Sequence, residues 1–271
     1  MAKYRLDTVL LDKGMAPSRE KARAMILAGE VKVDNQSVTK AGTKIDEDAE
    51  VTVTSNRLKY VSRGGFKLEG AIRAFYLDFQ GKSVLDVGAS TGGYTDCALQ
   101  NGASRVCAVD VGYGQLDWSL RNDPRVKVME RTNVRYFTLK DLGEQVDMIT
   151  MDVSFISTTL IFPVLAPLIK DEGAIVSLIK PQFEAGRDKV GKKGVVRDPL
   201  VHVEVLRKCT RAARNIGLNC LDVTYSPITG PQGNIEYFIL LKKNISEVED
   251  IELLINHVVE QAHHSLEGQH H

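Results

Sequence analysis

Two lysines and two carboxylates fall where a parallel sheet would deliver side chains to its working edge. Lys67 lies early in a leading helix and Asp152 ends an apolar run. Lys180 ends the run Ile175-Val-Ser-Leu-Ile, and Glu236 opens a last strand. A lysine beside a proline after such a run is an unusual place for a solvated charge. A lysine that can shed its proton removes one from a weakly acidic hydroxyl, while the other charges hold the acceptor and orient the base. Burial and the neighbouring cation Lys67 favour a neutral Lys180; Asp152 and Glu236 oppose it, and the sequence leaves that balance open. Singly, each residue reads equally well as a cap, a surface charge or a structural ion pair. Four together on one edge read as a site.

A second pattern supplies a place for a cofactor. Residues 84–93, Val-Leu-Asp-Val-Gly-Ala-Ser-Thr-Gly-Gly, run from a strand into a glycine-rich turn, and Asp110 closes the next apolar strand twenty-four residues after Asp86. Glycines there let backbone approach a ligand, and an acid ending the second strand accepts hydrogen bonds from a ribose diol. The turn is Gly-x-x-x-Gly-Gly rather than Gly-x-Gly-x-x-Gly, which suits S-adenosylmethionine better than a dinucleotide. On that reading Asp86 belongs to the cofactor site, Gly88, Ala89, Ser90 and Gly92 lie along the methionine portion, Asp110 binds the ribose, Thr132 or Asn133 approaches the adenine, and Asp152 stands between cofactor and Lys180.

These residues need a sheet to position them. Beyond residue 62, helical and strand periods alternate, the signature of a parallel sheet with crossover helices. Strands are expected near 83–87, 105–110, 126–130, 146–153, 174–179, 220–225 and 235–241, and helices near 67–78, 94–101, 157–170 and 200–216. This is an α/β, Rossmann-like seven-stranded sheet of the methyltransferase kind over 63–244, its last strand antiparallel. Residues 1–58 read as a small α+β unit: a helix over 4–13, a second helix capped by Ser18 and ended by Gly29, then a hairpin turning at Asp34-Asn35. Residues 59–62 form the linker. From Ser246 a capping box with Glu249 opens an amphipathic helix over 245–264, expected to cover its own domain or, failing that, a second copy.

The chain has 271 residues with 35 cationic and 35 acidic side chains. The balance conceals an asymmetry, because six acids follow residue 244 and no lysine or arginine does. Residues 1–244 therefore hold 35 cations against 29 anions, a surplus of six that suits a polyanionic partner. Cys97, Cys107, Cys209 and Cys220 form no Cys-x-x-Cys pair and no metal-type spacing, so they read as reduced core thiols and no metal is expected. The lack of a long apolar run and of a signal core points to a cytoplasmic protein without a membrane partner. Residues 265–271 read as a tag remnant, and Trp118 as helix packing.

The first unit resembles the RNA-binding module named after ribosomal protein S-four, through Arg5-Leu-Asp, Ser18-Arg-Glu-Lys-Ala-Arg, Ile26, Gly29 and Val31-Lys-Val-Asp-Asn. The resemblance makes Arg5, Arg19, Lys21, Arg23 and Lys32 RNA-binding candidates, and the basic stretch after Lys180 adds Lys189, Lys192 and Lys193, with Arg63 on the approach. The lysine, aspartate, lysine, glutamate set resembles that of FtsJ-type ribose 2′-O-methyltransferases. The whole pattern, including Ser62-Arg-Gly-Gly-Phe-Lys-Leu, Glu130-Arg-Thr-Asn, Asp152-Val-Ser-Phe-Ile-Ser, Lys180-Pro-Gln-Phe-Glu and Gly233-Asn-Ile-Glu-Tyr, is similar to the TlyA (haemolysin A) family. That resemblance implies methylation of a ribose 2′-hydroxyl, on cytidine, in ribosomal RNA or ribosomal subunits, with S-adenosylmethionine as donor. It does not decide between monomer and homodimer. The rivals are a different methyl acceptor and the cytolytic role suggested by the family's older name. Exocyclic-amine enzymes carry Asn/Asp-Pro-Pro-Tyr where this chain has Asp152-Val-Ser-Phe, and lysis would need a basic amphipathic helix where the only isolated one is acidic.

Overall fold

The computed structural model describes residues 3–16, 18–53, 59–246 and 248–266. The chain divides into two units, Met1–Leu58 and Lys59–His271.

In the first unit β1 (Lys3–Arg5) precedes α1 (Leu6–Asp12) and α2 (Arg19–Leu27), followed by β2 (Val31–Val33), β3 (Gln36–Ser37), β4 (Lys44–Asp46) and β5 (Val51–Val53). Ser18 accepts a hydrogen bond from the Lys21 amide, and Gly29 leaves α2 at φ +73°. Asp34 and Asn35 carry the β2–β3 hairpin at φ 47° and 67°, as a two-residue primed turn requires. The helix expected over 4–13 begins two residues late. Tyr4 and Arg5 are drawn into strand pairing with Ile45 and Lys44, a contact forty residues away that no local period encodes. Leu6, Leu10, Ala22, Ile26, Val31, Ile45 and Val51 form the core.

The second unit opens with residues 59–62. Tyr60 is buried edge-on against Phe66, and the Val61 amide donates to Asp96, so this stretch is packed into the unit. Residues 54–58, just before the expected linker, lie outside the described residues. Then follow α3 (Gly64–Ala74), β6 (Ser83–Val87), α4 (Gly93–Gln100), β7 (Arg105–Val109), α5 (Trp118–Arg121), β8 (Val126–Met129), α6 (Leu139–Leu142), β9 (Val146–Met151), α7 (Phe162–Leu165), β10 (Ile169–Ile179), α8 (Pro181–Glu184), α9 (Pro199–Arg214), β11 (Asn219–Tyr225), β12 (Tyr237–Lys242) and α10 (Ile251–Leu266). The seven strands lie in the order β11-β12-β10-β9-β6-β7-β8, with β12 antiparallel to both neighbours and the β10-to-β8 run parallel. One face packs Leu85, Ile149, Ile175 and Tyr237 beneath α9 and α10; the other packs Val84, Val176 and Phe238 beneath α3 and α4. Covering both faces is what a parallel sheet demands.

Four expectations are corrected. The helix expected over 157–170 breaks into a short turn at 158–160 and the single turn α7, because Pro163 starts and Pro167 ends it; Ile169 then joins β10. The last helix begins at Ile251 rather than at the Ser246 box, with the Asp250 carbonyl accepting the Leu254 amide. It runs through Ser265 and Leu266, the first residues of the expected tag remnant; Leu266 is buried with Ile255, Val258 and Ala262 in the main core, covering the chain's own unit. Residues 267–271 lie outside the described residues. Trp118 is three-quarters exposed rather than packed.

Candidate active site

The sheet brings the four sequence-selected residues together at the ends of β9, β10 and β12 and the start of α3. Lys180 follows β10 directly because Pro181 forces a new helix, α8, at that point. Its Nζ lies 2.6 Å from Asp152 Oδ1 and donates to Ser154 Oγ at 2.9 Å. Lys67 Nζ lies 2.6 Å from Glu236 Oε2 and 3.8 Å from Asp152 Oδ2. Glu236 is 1% exposed and the two lysine side chains about a tenth. Charges alternate as Lys180, Asp152, Lys67, Glu236, so each buried ion has an opposite neighbour and the group is neutral in sum. Gln182 reaches Glu236 Oε1 from α8 at 3.5 Å.

The glycine turn lies against this group. Gly88 has φ +83°, and a Cβ there would stand 2.4 Å from the Asp152 carbonyl oxygen. Across the turn, Asp110 accepts hydrogen bonds from the Ser90 amide at 2.8 Å and the Gly112 amide at 2.7 Å. A cavity of about 270 Å³ is lined by Gly88, Ala89, Ser90, Asp152 and Lys180, with Lys67 and Arg63 at its wall. Backbone that only glycine can form, a short acidic side chain at the second strand end and a polar rim fit S-adenosylmethionine.

Other assignments separate from that cavity. The Asp86 carboxylate turns inward and accepts from the Thr95 and Thr150 hydroxyls at 2.7 and 3.0 Å; burial pushes its pKa up to about 6 against those donors. It is a buried brace beneath the turn rather than a wall of the cavity. Gly92, at φ +96°, makes room for Leu120 and Leu116. Thr132 is hydrogen-bonded through its amide to the Asp110 carbonyl, and Asn133 caps the turn over 134–136 with its side chain; neither lines the cavity.

Several participants escaped the sequence reading. Ser154 touches Lys180, and Tyr94 lines the cavity from α4. Phe155, next to Ser154, is 90% exposed at φ +63°, a costly backbone for an aromatic residue, and its ring lies 4.9 Å from that of Phe183. Glu184 is buried and accepts from Ser157, from the Thr158 amide and hydroxyl, and from Lys208, which ties the 154–158 loop to α8. Polar residues serving as such ties have no periodicity to betray them. In the basic loop, Lys192 and Lys193 are exposed and Lys189 pairs with Glu204, while Asn234 holds the far end through the Val196 amide and the Gly194 carbonyl. Arg63 donates to the Thr229 carbonyl.

In the first unit, Arg5, Arg19 and Arg23 converge on one carboxylate. Asp7 is fully buried and accepts from all three, from Arg5 through two nitrogens, at 3.0 to 3.2 Å. Arg5 first, then the other guanidiniums, hold its carboxyl well below the usual range. Lys21 and Lys32 lie outside this cluster: Lys21 is exposed, and Lys32 lies within β2. A carboxylate with a depressed folded pKa contributes stability above its unfolded value near 4 and loses it as pH falls below that. Asp7→Asn is therefore expected to lower the melting temperature of the first unit at pH 7, on the order of 10 °C for so small a unit. The gap between variant and parent should close as pH is lowered below 4. A pH-independent gap in melts of the unit would contradict the charge-based account.

Residues 60–243 match the FtsJ-like methyltransferase family and residues 5–51 the S4 domain. A Bacillus subtilis protein designated an rRNA methyltransferase, YqxC, is 50% identical over 97% of this chain and 95% of its own length. The Mycobacterium tuberculosis 16S/23S rRNA (cytidine-2′-O)-methyltransferase TlyA is 44% identical over 88% of this chain and 89% of its own. A solved structure of a hemolysin-designated protein from Streptococcus thermophilus superimposes with a TM-score of 0.76 at 42% identity, covering 99% of this chain and 98% of that one.

Proposed function

We infer, from the premise that the chain belongs to the FtsJ-like methyltransferase family, that it transfers a methyl group from S-adenosylmethionine to the 2′-hydroxyl of a cytidine ribose in ribosomal RNA. The observation that carries this reading is the Lys180–Asp152–Lys67–Glu236 cluster on the wall of the glycine cradle. When bound, S-adenosylmethionine supplies a sulfonium methyl already activated toward an attacking oxygen, its carbon–sulfur electron pair returning to sulfur. The protein's work is alignment and removal of one proton.

Lys180 takes the proton from the 2′-oxygen as the new carbon–oxygen bond forms. Asp152 holds the Lys180 amine in place and lies against Gly88, which fixes the base relative to the methionine end of the cradle. Lys67, braced by Glu236, stands where it can hold the ribose. Asp110 is placed for the donor's ribose hydroxyls. The Asp7-centred arginines and exposed Lys192 and Lys193 fit a phosphate backbone, with the salt dependence that such contacts give.

The rival readings have less support. A cytosine-carbon methyltransferase needs a reactive thiolate. All four cysteines are buried, and burial pushes Cys97 up to about 12 and Cys107 up to about 11. Among the described residues no helix is long and apolar enough to cross a membrane, and α10 opens with an acid in its first turn. A protein acting on ribosomal subunits would work in the cytoplasm.

The test is transfer of labelled methyl to unmodified small and large ribosomal subunits, followed by nuclease digestion to locate it. Label on a cytidine 2′-oxygen supports the reading; label on a base overturns it. Phe155 offers an exposed ring beside Lys180, suited to stacking on a base turned out of its helix. Phe155→Ala is expected to lower kcat/KM for the RNA roughly tenfold, the worth of one stacked base, while leaving cofactor affinity unchanged. Equal kcat/KM would remove Phe155 from the acceptor site.

A further inference from the structure

Tyr94 is 4% exposed, projects from the second position of α4 and lines the same cavity as Lys67, Asp152 and Lys180. Its ring is fixed by Phe238 of β12, at 6.4 Å between centroids, and by Gly64 of α3, where a Cβ would meet Tyr94 Cδ1 at 3.5 Å. Its hydroxyl is buried and has no hydrogen-bond partner. An orphaned buried hydroxyl is costly, and a phenylalanine would fill the same space without that cost.

The quartet holds a complementary vacancy in hydrogen bonding. Asp152 Oδ1 is taken by Lys180 at 2.6 Å, whereas Lys67 approaches Oδ2 only to 3.8 Å, beyond hydrogen-bond reach. An unpaired donor and an under-used acceptor thus share one wall of the site. We propose that Tyr94 is a positioning residue whose hydroxyl donates to Asp152 and so fixes the carboxylate that orients Lys180.

The charged groups around the phenol are Asp86 from β6, Asp152 after β9, Lys180 after β10, Glu236 before β12, and Lys67 and Arg63 at α3. Burial first, then the charges of Asp152, Glu236 and Asp86, push the phenol well above its ordinary value. Tyr94 therefore stays protonated and serves as a donor only. By donating to Asp152, it shares that carboxylate with Lys180.

This inference rests on the reading of Lys180 as the base, and two measurements separate their failures. The first needs no activity: melting of the full chain for Tyr94→Phe, Asp152→Ala and the double variant. A donor to Asp152 predicts that Tyr94→Phe lowers the melting temperature by about 2–4 °C, the shift expected for one such bond in a unit of this size. The same change should no longer lower it once Asp152 is alanine, because the hydroxyl has then lost its acceptor. An orphaned hydroxyl instead predicts that Tyr94→Phe raises the melting temperature in both backgrounds, which would overturn the proposal. The second is the pH dependence of kcat for methyl transfer. Tyr94→Phe is expected to lower kcat several-fold and move the acid limb to higher pH, with cofactor affinity unchanged. An unchanged profile would also overturn it. Full activity of Lys180→Ala would sink the base assignment while leaving the melting test of Tyr94 intact.

Discussion

Lys180→Ala is expected to lower kcat for methyl transfer about a thousandfold, within the range that loss of a positioned general base produces. The cofactor's dissociation constant should stay within a few-fold of the parent, because Lys180 is paired with Asp152 and Ser154, whereas the Asp110 carboxylate accepts the Ser90 and Gly112 amides and is not among the residues lining the cavity. The decisive companion is Lys180→Arg. A guanidinium keeps positive charge and can still pair with Asp152, yet it does not give up its proton in a protein. If Lys180 acts as a base, arginine is as inactive as alanine. If it only orients the ribose by charge, arginine restores much of the rate. Single-turnover transfer to ribosomal subunits, with circular dichroism to verify folding, distinguishes the two.

Gly88→Ala is expected to damage both cofactor binding and rate, each by roughly a hundredfold, the penalty for displacing reacting groups by about an ångström. The position combines φ +83°, which an L side chain adopts at a cost, with a Cβ only 2.4 Å from the Asp152 carbonyl oxygen. Relief requires the turn to move away from the end of β9, and Asp152 carries Lys180 with it. Gly81→Ala is the control. It also has positive φ, +71°, but its Cβ would meet nothing within 4 Å. It should lose some stability and keep cofactor affinity. Isothermal titration of the cofactor against both variants tests the argument, and equal affinities would contradict it.

Much of this molecule was legible in one dimension because its regularities are local. The alternation of apolar strands and amphipathic helices gave the seven-stranded sheet. The glycine turn Gly88 to Gly93 and Asp110 follow adjacent strands, as the spacing implied, and hairpin chemistry at Asp34-Asn35 was read from two residues. The helix expected over 157–170 failed because Pro163 and Pro167 overrode its period, and the onset at Tyr4 failed because a distant strand claimed it.

The site separates in the same way. The sequence determined which residue types could do chemistry and, through strand order, that Lys67, Asp152, Lys180 and Glu236 would share an edge. Only the tertiary structure decided how they pair: that Lys180 belongs to Asp152 and Lys67 to Glu236, that Asp86 faces inward to two threonines, and that Tyr94 is buried beside them without a partner. Strand periodicity fixes the face and end on which a residue emerges, to within a few ångströms. Hydrogen bonding and ion pairing are settled over less than that distance, among side chains from as many as six separate elements, and no spacing along a chain specifies it.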